Sequence, residues 1–448
     1  MHTAQTAPAP AGRMLFGHPA GLSVLFLSAM WEIFALFGMR AVLVYYLVQQ
    51  LDFSPRSAVE IYGLSTAAAF FTALIGGALA DRYLGARRAA IIGALLMAIG
   101  QFLLVIEPML YAGLAVIALG NGLYKPTMLG QVGSLYATDD PRRDRAYNVY
   151  GVGCNLGAIV SPLVCGAIGQ AYGWNRAFLV SGAGMILAAL IFYAGRRYLA
   201  PENTAAVRAQ STDAAGSTSQ AGAPARRHAL AVLVVAWIAG VFFWTAYGQI
   251  GGTVALWAES GIDRGLQLWG RDFVIPAAWF QSVNPLLIFL LAPLVNWRWA
   301  RDPTPVGARR DLRKMTIGAT QLAAAFLVIA AVATSDTSPA SPMWLLLALV
   351  PFTLGELYLN TIGQALFSRV APRGYVSVFM GIWILTLMLG HAAAGWLGHL
   401  WGTLTTAAFF GLVAGIALAG AAILAITRPF LFPDRLNVGT REAAESLR

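Results

Sequence analysis

The chain has 448 residues, of which 58% are hydrophobic and only 11% charged, and its net charge is +10. A soluble domain of this length could not present that balance to water, so the bulk of the chain sits in lipid. The positive excess does not point to nucleic acid, because it follows the connections between apolar runs rather than forming one basic face.

The first ten residues hold no basic segment followed by an apolar run, so the first helix itself is expected to direct insertion. A hydrocarbon core of about 30 Å takes roughly 20 apolar residues per helix, which gives room for about twelve spans. Uncharged runs predict six of them at 20–50, 56–81, 89–106, 109–136, 146–171 and 174–193. The stretch 201–227, rich in Ala, Ser, Thr, Gln and Gly, then reads as a flexible cytoplasmic linker. Six further spans follow at 229–258, 273–295, 315–333, 342–367, 375–397 and 402–426. The expected fold is all-α and membrane-embedded: an N-terminal six-helix bundle over 14–200, the linker, a C-terminal six-helix bundle over 228–430 and a cytoplasmic tail over 431–448. That is the layout of carriers built from two bundles around a central cavity.

Arg82, Arg87, Arg88, Arg142, Arg143 and Arg145 fall on one side of the alternation with Arg196, Arg197, Arg298, Arg309, Arg310, Arg313 and Lys314. Arg56, Arg176, Arg264 and Arg271 fall on the other. The positive-inside bias puts both termini in the cytoplasm, and a bacterial inner membrane is the expected location. Cys154 and Cys165 share one predicted helix about 16 Å apart along its axis, too far for a disulfide, and read as small packing residues.

Ionisable groups deep in lipid are costly and point by default to function. Glu32 and Arg40 lie on the first span, Lys125 on the fourth and Glu356 on the tenth. Asn155, Gln249, Gln281, Asn284 and Asn360 join them, while the third, sixth, ninth and twelfth spans carry no charge at their centres and are expected to face lipid. Glu32 and Arg40 stand about 12 Å apart along one helix, so each needs a partner elsewhere, and Lys125 is the candidate for Glu32. A glutamate beside a lysine in a partly dry cavity can exchange protons as access alternates; the bland alternative is a structural clamp between helices. Arg40 has a gating or snorkelling reading beside substrate contact. His391 and His399 offer a proton relay only weakly, and Trp244, Trp279 and Trp383 serve packing or interface anchoring as readily as ligand contact, with depth favouring Trp244 and Trp383.

Several motifs resemble one family. The loop Gly76-Gly-Ala-Leu-Ala-Asp81-Arg82-Tyr-Leu-Gly85, with Arg87 and Arg88, looks like the loop signature of the major facilitator superfamily as used by proton-coupled oligopeptide transporters. More specific are Gly120-Asn-Gly-Leu-Tyr-Lys125-Pro126 and Tyr147-Asn-Val-Tyr-Gly-Val-Gly-Cys-Asn155 on the fourth and fifth spans. Phe243-Trp244, Trp279-Phe-Gln281-Ser-Val-Asn284-Pro285, Gly355-Glu356-Leu and Met380-Gly-Ile-Trp383 follow in the family's order.

The resemblance implies that Asp81, Arg82, Gly85, Arg87 and Arg88 latch helices and that Lys125, Asn155, Asn284 and Glu356 contact substrate; depth in the spans adds Arg40, Trp244, Asn360 and Trp383 to the candidate contacts. Lys125 would meet a peptide's carboxylate and Glu356, Asn155 and Asn284 its amino end, with Glu32, Lys125 and Glu356 carrying proton coupling. This sequence departs from the family at Ala29 and Ile33, where a first-helix glutamate and arginine are usual, at Leu36 and Phe37, where tyrosines are, and at Gly248, where an acid is. The two extra helices that bacterial relatives insert between bundles have no room in the linker.

The expected function is proton-coupled import of short peptides or peptide-like molecules by a monomer in the lipid bilayer, with no cofactor, no metal and no nucleic-acid partner. Two alternatives stand beside it: a carrier or exporter of another solute without proton coupling, and a non-transporting membrane sensor. An enzyme is not expected, for the sequence has neither a zinc-protease histidine pair nor a glycine-flanked nucleophile serine nor a phosphate-binding glycine loop.

Overall fold

A computed structural model describes residues 14–15, 17–136, 140, 142–199, 223–268, 270–334, 339–371 and 375–432. Most of the expected linker and tail, 201–222 and 433–448, lies outside the described residues. The N-terminal half consists of helices at Ala20–Tyr45, Pro55–Leu79, Ala86–Leu103, Leu110–Ser134, Arg142–Tyr172 and Trp174–Gly195. A π-helical turn extends the first helix over Tyr46–Gln50 and another extends the second over Ala80–Leu84. The C-terminal half has a seventh helix in two pieces, Ala223–Tyr247 and Thr253–Ser260, bridged by a 3-10 turn at Gly248–Gly251. Helices at Val283–Ala300, Ala308–Ala333, Pro342–Val370, Val376–Leu397 and Thr406–Leu431 complete it.

Local chemistry sets the helix starts. Ser54 accepts a bond from the Ser57 backbone N–H at 3.2 Å with Pro55 at the first helical position, and Thr405 caps the twelfth helix by accepting from the Ala408 N–H at 3.2 Å. Among the described residues, 11 helices are long and apolar enough to cross a membrane. The fourth, Leu110–Ser134, has the length, 25 residues, but Asn121, Lys125, Gln131 and its glycines dilute its apolarity, as suits a helix facing polar space inside the protein.

The eighth span differs from its expected start at 273. Arg271–Val274 is a strand paired antiparallel with Gly265–Leu268, and Gly270, at φ +75°, closes the hairpin. Pro276 cannot donate a helical hydrogen bond, so helix begins only after it, in the 3-10 turn Ala277–Ser282. The ninth helix starts at Ala308, a turn or more ahead of the expected 315, because Asp311 and Lys314 are buried and partnered there.

The two halves repeat one design. Gly85-Ala-Arg-Arg opens the third helix and Gly307-Ala-Arg-Arg the ninth. A Cβ on Gly93 would stand 2.7 Å from the Gly120 carbonyl oxygen, and one on Gly318 2.9 Å from that of Gly355, so the third and fourth helices cross as the ninth and tenth do. Arg87 of the first repeat donates to the Leu199 carbonyl at 2.7 Å, tying the third helix to the end of the sixth. The side chain of Asp81 lies outside the described ones. In the second repeat Asp302 faces Arg310 at 3.2 Å and Arg313 at 3.1 Å, while Arg369 bonds Asp311. Hydrogen bonds from Thr304, reinforced by Arg310 and Arg313, hold the Asp302 carboxyl well below the usual carboxylate range.

The hydrogen bonds between the halves lie toward the end opposite the termini. Tyr45 donates to the Ala255 carbonyl at 3.1 Å, Trp279 to Leu163 at 2.9 Å, Ser282 to Ile159 at 2.7 Å and Gln281 to Ala41 at 3.1 Å. Beside them the second and eleventh helices meet with nothing between: a Cβ on Gly63 would come within 2.6 Å of the Gly395 nitrogen and 2.7 Å of the His391 carbonyl oxygen. At the terminal end the backbone hydrogen bonds outside the helices and strands each stay within one half among the described residues.

Gly63→Val should therefore keep this end from sealing; spin labels placed across it should report a longer distance than in the wild type. For Asp302 the depressed carboxyl contributes stability at neutral pH that is lost as the pH falls through and below the normal range, about 4. Asp302→Asn should accordingly lower the melting temperature at pH 7, and the gap to wild type should narrow on acidification.

Candidate substrate-binding cavity

The sealed end covers a cavity of about 180 Å³ between the halves, walled by the first, second, fifth, seventh, eighth, tenth and eleventh helices. A second hollow, of about 130 Å³, lies among the first, second and fourth helices. Phe37, Arg40 and Phe70 line both. The third, sixth, ninth and twelfth helices line neither.

Glu356 is the organised acid of the larger cavity. Thr353, Glu356 and Asn360 fall three and then four residues apart, so the tenth helix presents them on one face. Oε2 of Glu356 accepts from the Tyr247 hydroxyl at 2.9 Å and from Asn284 Nδ2 at 3.2 Å. The same Asn284 amide also donates to Thr353 Oγ1 at 3.1 Å, so both its hydrogens are used. Oε1 has no protein partner among the described residues and remains available to a cation. Asn360 lines the cavity farther along, its Oδ1 accepting from Gln364 at 3.0 Å.

Arg40 stands where the two hollows adjoin. Its Nη2 donates to the Tyr62 hydroxyl at 3.1 Å, and its guanidinium lies 5.5 Å from the ring centroids of Phe37 and Tyr62. These contacts orient the cation without neutralising it. Lys125 lines the smaller hollow with Asn121 and Thr66, and no ion pair within 4.0 Å holds it among the described residues.

Other expected residues sit elsewhere. Glu32 is 1% exposed, lines neither hollow, and its Oε1 lacks a hydrogen-bond partner, although Lys125 is within Coulombic reach. The expected central cavity is thus resolved into two hollows meeting at Arg40, with Glu356 in one, Lys125 in the other and Glu32 buried outside both. Asn155 turns its amide back to the Gly151 carbonyl at 3.1 Å and lines neither hollow. Trp383 is 1% exposed and packs on Phe367 with ring centroids 5.2 Å apart; Gly240 and Gly363 make room for its indole, which places it in the core of the C-terminal half. Trp244 does line the cavity. Sequence reasoning passed over Tyr62, Phe70 and Tyr247. Tyr247 had a signal, three residues beyond Trp244 and so on its face; Tyr62 and Phe70 had none, being aromatics in an apolar helix.

Two six-helix halves around a central cavity that holds Glu356 and Arg40, with Lys125 in an adjoining hollow, define a membrane carrier. The family model of the Major Facilitator Superfamily matches residues 25–383. A peptide transporter of Yersinia enterocolitica is 31% identical, the match spanning 87% of this chain and 89% of the relative. A di-/tripeptide transporter of Lactococcus lactis is 27% identical, spanning 94% and 97%. The solved structure of a peptide transporter, POT, in complex with sulfate superposes with a TM-score of 0.84 at 28% identity, over 94% of this chain and 97% of that one. The chain belongs to the Major Facilitator Superfamily and, within it, to the proton-coupled oligopeptide transporter family.

Asn284→Leu strips donors from Glu356 and Thr353 together and should cost about 1–3 kcal/mol of stability. Glu356→Gln should recover part of that loss, so thermal unfolding of the two single variants and the double variant should show clear non-additivity.

Proposed function

We propose that the protein imports short peptides, or peptide-like molecules, through a bacterial inner membrane by alternating access coupled to protons. What carries the reading is the separation of charge: the free oxygen of Glu356 in one hollow, Lys125 in the next, and Arg40 between them. A dipolar substrate with an amine at one end and a carboxylate at the other fits that order. Glu356, steadied by Tyr247 and Asn284, receives the amine; Lys125 and Arg40 receive the carboxylate. Trp244 and Asn360 wall the substrate, while Asn155 and Trp383 act by holding helices. Since the halves bond each other toward the end opposite the termini, the arrangement is open to the cytoplasm if the termini are cytoplasmic, as the arginine distribution indicates. The relatives' activities support the substrate class.

Glu32 is the coupling residue in this scheme. Its carboxylate lacks a hydrogen-bond partner on one oxygen, with Lys125 within Coulombic reach, so protonation removes a charge that the surroundings meet poorly. The monomer is the working unit, and the absence of nucleophile and metal motifs fits transport without catalysis. A second reading, carriage without proton drive, draws on one observation: Gly248 stands where the family keeps an acid.

Purified protein in liposomes should take up labelled di-alanine faster under an inward proton gradient. Flux indifferent to that gradient would remove coupling while leaving transport. Lys125→Ala and Glu356→Gln should each weaken uptake roughly ten- to a hundred-fold, the range for losing a charge-assisted hydrogen bond.

A further inference from the structure

His391 is the only histidine among the residues lining the cavity, and the transport scheme above leaves it unused. It belongs to the eleventh helix, whose other residues around it are apolar or small, so an imidazole there is costly unless its polar atoms are employed. One of them is. The ring nitrogen Nδ1 lies 2.8 Å from the Leu387 carbonyl oxygen, which only accepts, so Nδ1 carries the hydrogen. Nε2 is then an acceptor. It has no protein partner among the described residues, yet it is not among the buried polar atoms cut off from solvent space, although His391 as a whole is only 3% exposed. The open part of this side chain is therefore its lone-pair edge.

The ring is held firmly. It stacks on Trp244 with centroids 6.0 Å apart and an interplanar angle of 27°, meets Tyr247 at 6.5 Å, and meets Phe70 of the opposite half at 5.4 Å. Behind it, Gly248 leaves room: a Cβ there would lie 3.5 Å from His391 Cδ2. Tyr247 connects this ring to the acid of the site, for its hydroxyl donates to Glu356 at 2.9 Å. A clamped imidazole with a free acceptor and a carboxylate with a free oxygen thus face one cavity from adjacent helices. A carboxylate alone can satisfy only part of a primary ammonium, which has three N–H donors.

We propose that His391 Nε2 is a second acceptor for the substrate's amino group, and that it makes the site select a free amine over a blocked one. This rests on the peptide reading above. The neutral imidazole takes one N–H, Glu356 Oε1 another, and an acylated nitrogen, with a single N–H and no charge, gains little from either.

The test is binding of di-alanine and of N-acetyl-di-alanine to detergent-purified full-length protein by calorimetry. His391→Phe keeps an aromatic ring in the stack but has no acceptor; His391→Gln keeps an acceptor. Wild type should prefer di-alanine. His391→Phe should lose roughly tenfold in affinity for di-alanine and leave the acetylated peptide unchanged, while His391→Gln should restore part of the preference. Undiminished preference for di-alanine in His391→Phe overturns the assignment, as does an equal loss for both peptides, which would mark a purely structural role. Wild type binding neither peptide would instead overturn the peptide reading, and the assignment with it.

Discussion

A carboxylate in the middle of a bilayer has to find its solvation inside the protein, and Glu356 finds only half of it. Tyr247 and Asn284 from the seventh and eighth helices converge on one oxygen and leave the other open. This partial satisfaction ties three helices of the C-terminal half to one point without spending the group's whole capacity for bonding. Full satisfaction would give a structural clamp, and none would leave a buried acid whose polar atoms nothing meets. The cavity wall follows from that middle course: Asn284 is fixed by Thr353 on the same tenth-helix face, and Tyr247 fixes the aromatic side against which Trp244 and His391 lie.

The opposite half solves a different problem with cations. Phe37 and Tyr62 give the Arg40 guanidinium ring faces and one hydroxyl, and no counter-ion within 4.0 Å meets it among the described residues. Lys125, on the glycine-rich fourth helix, faces a smaller hollow within the same half. Two cations and one half-satisfied acid leave the combined walls with more positive than negative charge. That excess of positive charge favours an anion-bearing ligand, with the open oxygen of Glu356 as the one negative point among these walls.

How much of this could be read from residues alone depends on what each inference required. The first span was legible from 20 to 50 because only two charges, Glu32 and Arg40, interrupt its apolar run, and Lys125 and Glu356 stood out because charge in such runs is costly. The hairpin before the eighth helix was hidden, since Phe273-Val-Ile275 continues the apolar run and only Pro276 marks the break. Asn155, Trp383 and Glu32 have the right depth but the wrong azimuth: which way a side chain turns around its helix is decided by neighbours such as Gly240 and Gly363, far away in the chain. Depth is a property of sequence position, whereas facing is a property of packing.

Gly248 shows why the departures from the family have to be considered together. The acid that the family carries on the seventh helix cannot simply be put back. The backbone there is now packed against the eleventh helix, so that even a Cβ would stand 2.7 Å from the Ala394 Cβ. His391, whose Cδ2 would lie 3.5 Å from that Cβ, shares the cavity with Arg40, which donates to a tyrosine hydroxyl. Restoring the carboxylate at 248 would require the eleventh helix to retreat from the same surface where Gly63 and Gly395 seal the halves. In this chain, a side chain at position 248 and the close approach of the second and eleventh helices therefore compete for the same stretch of the eleventh helix.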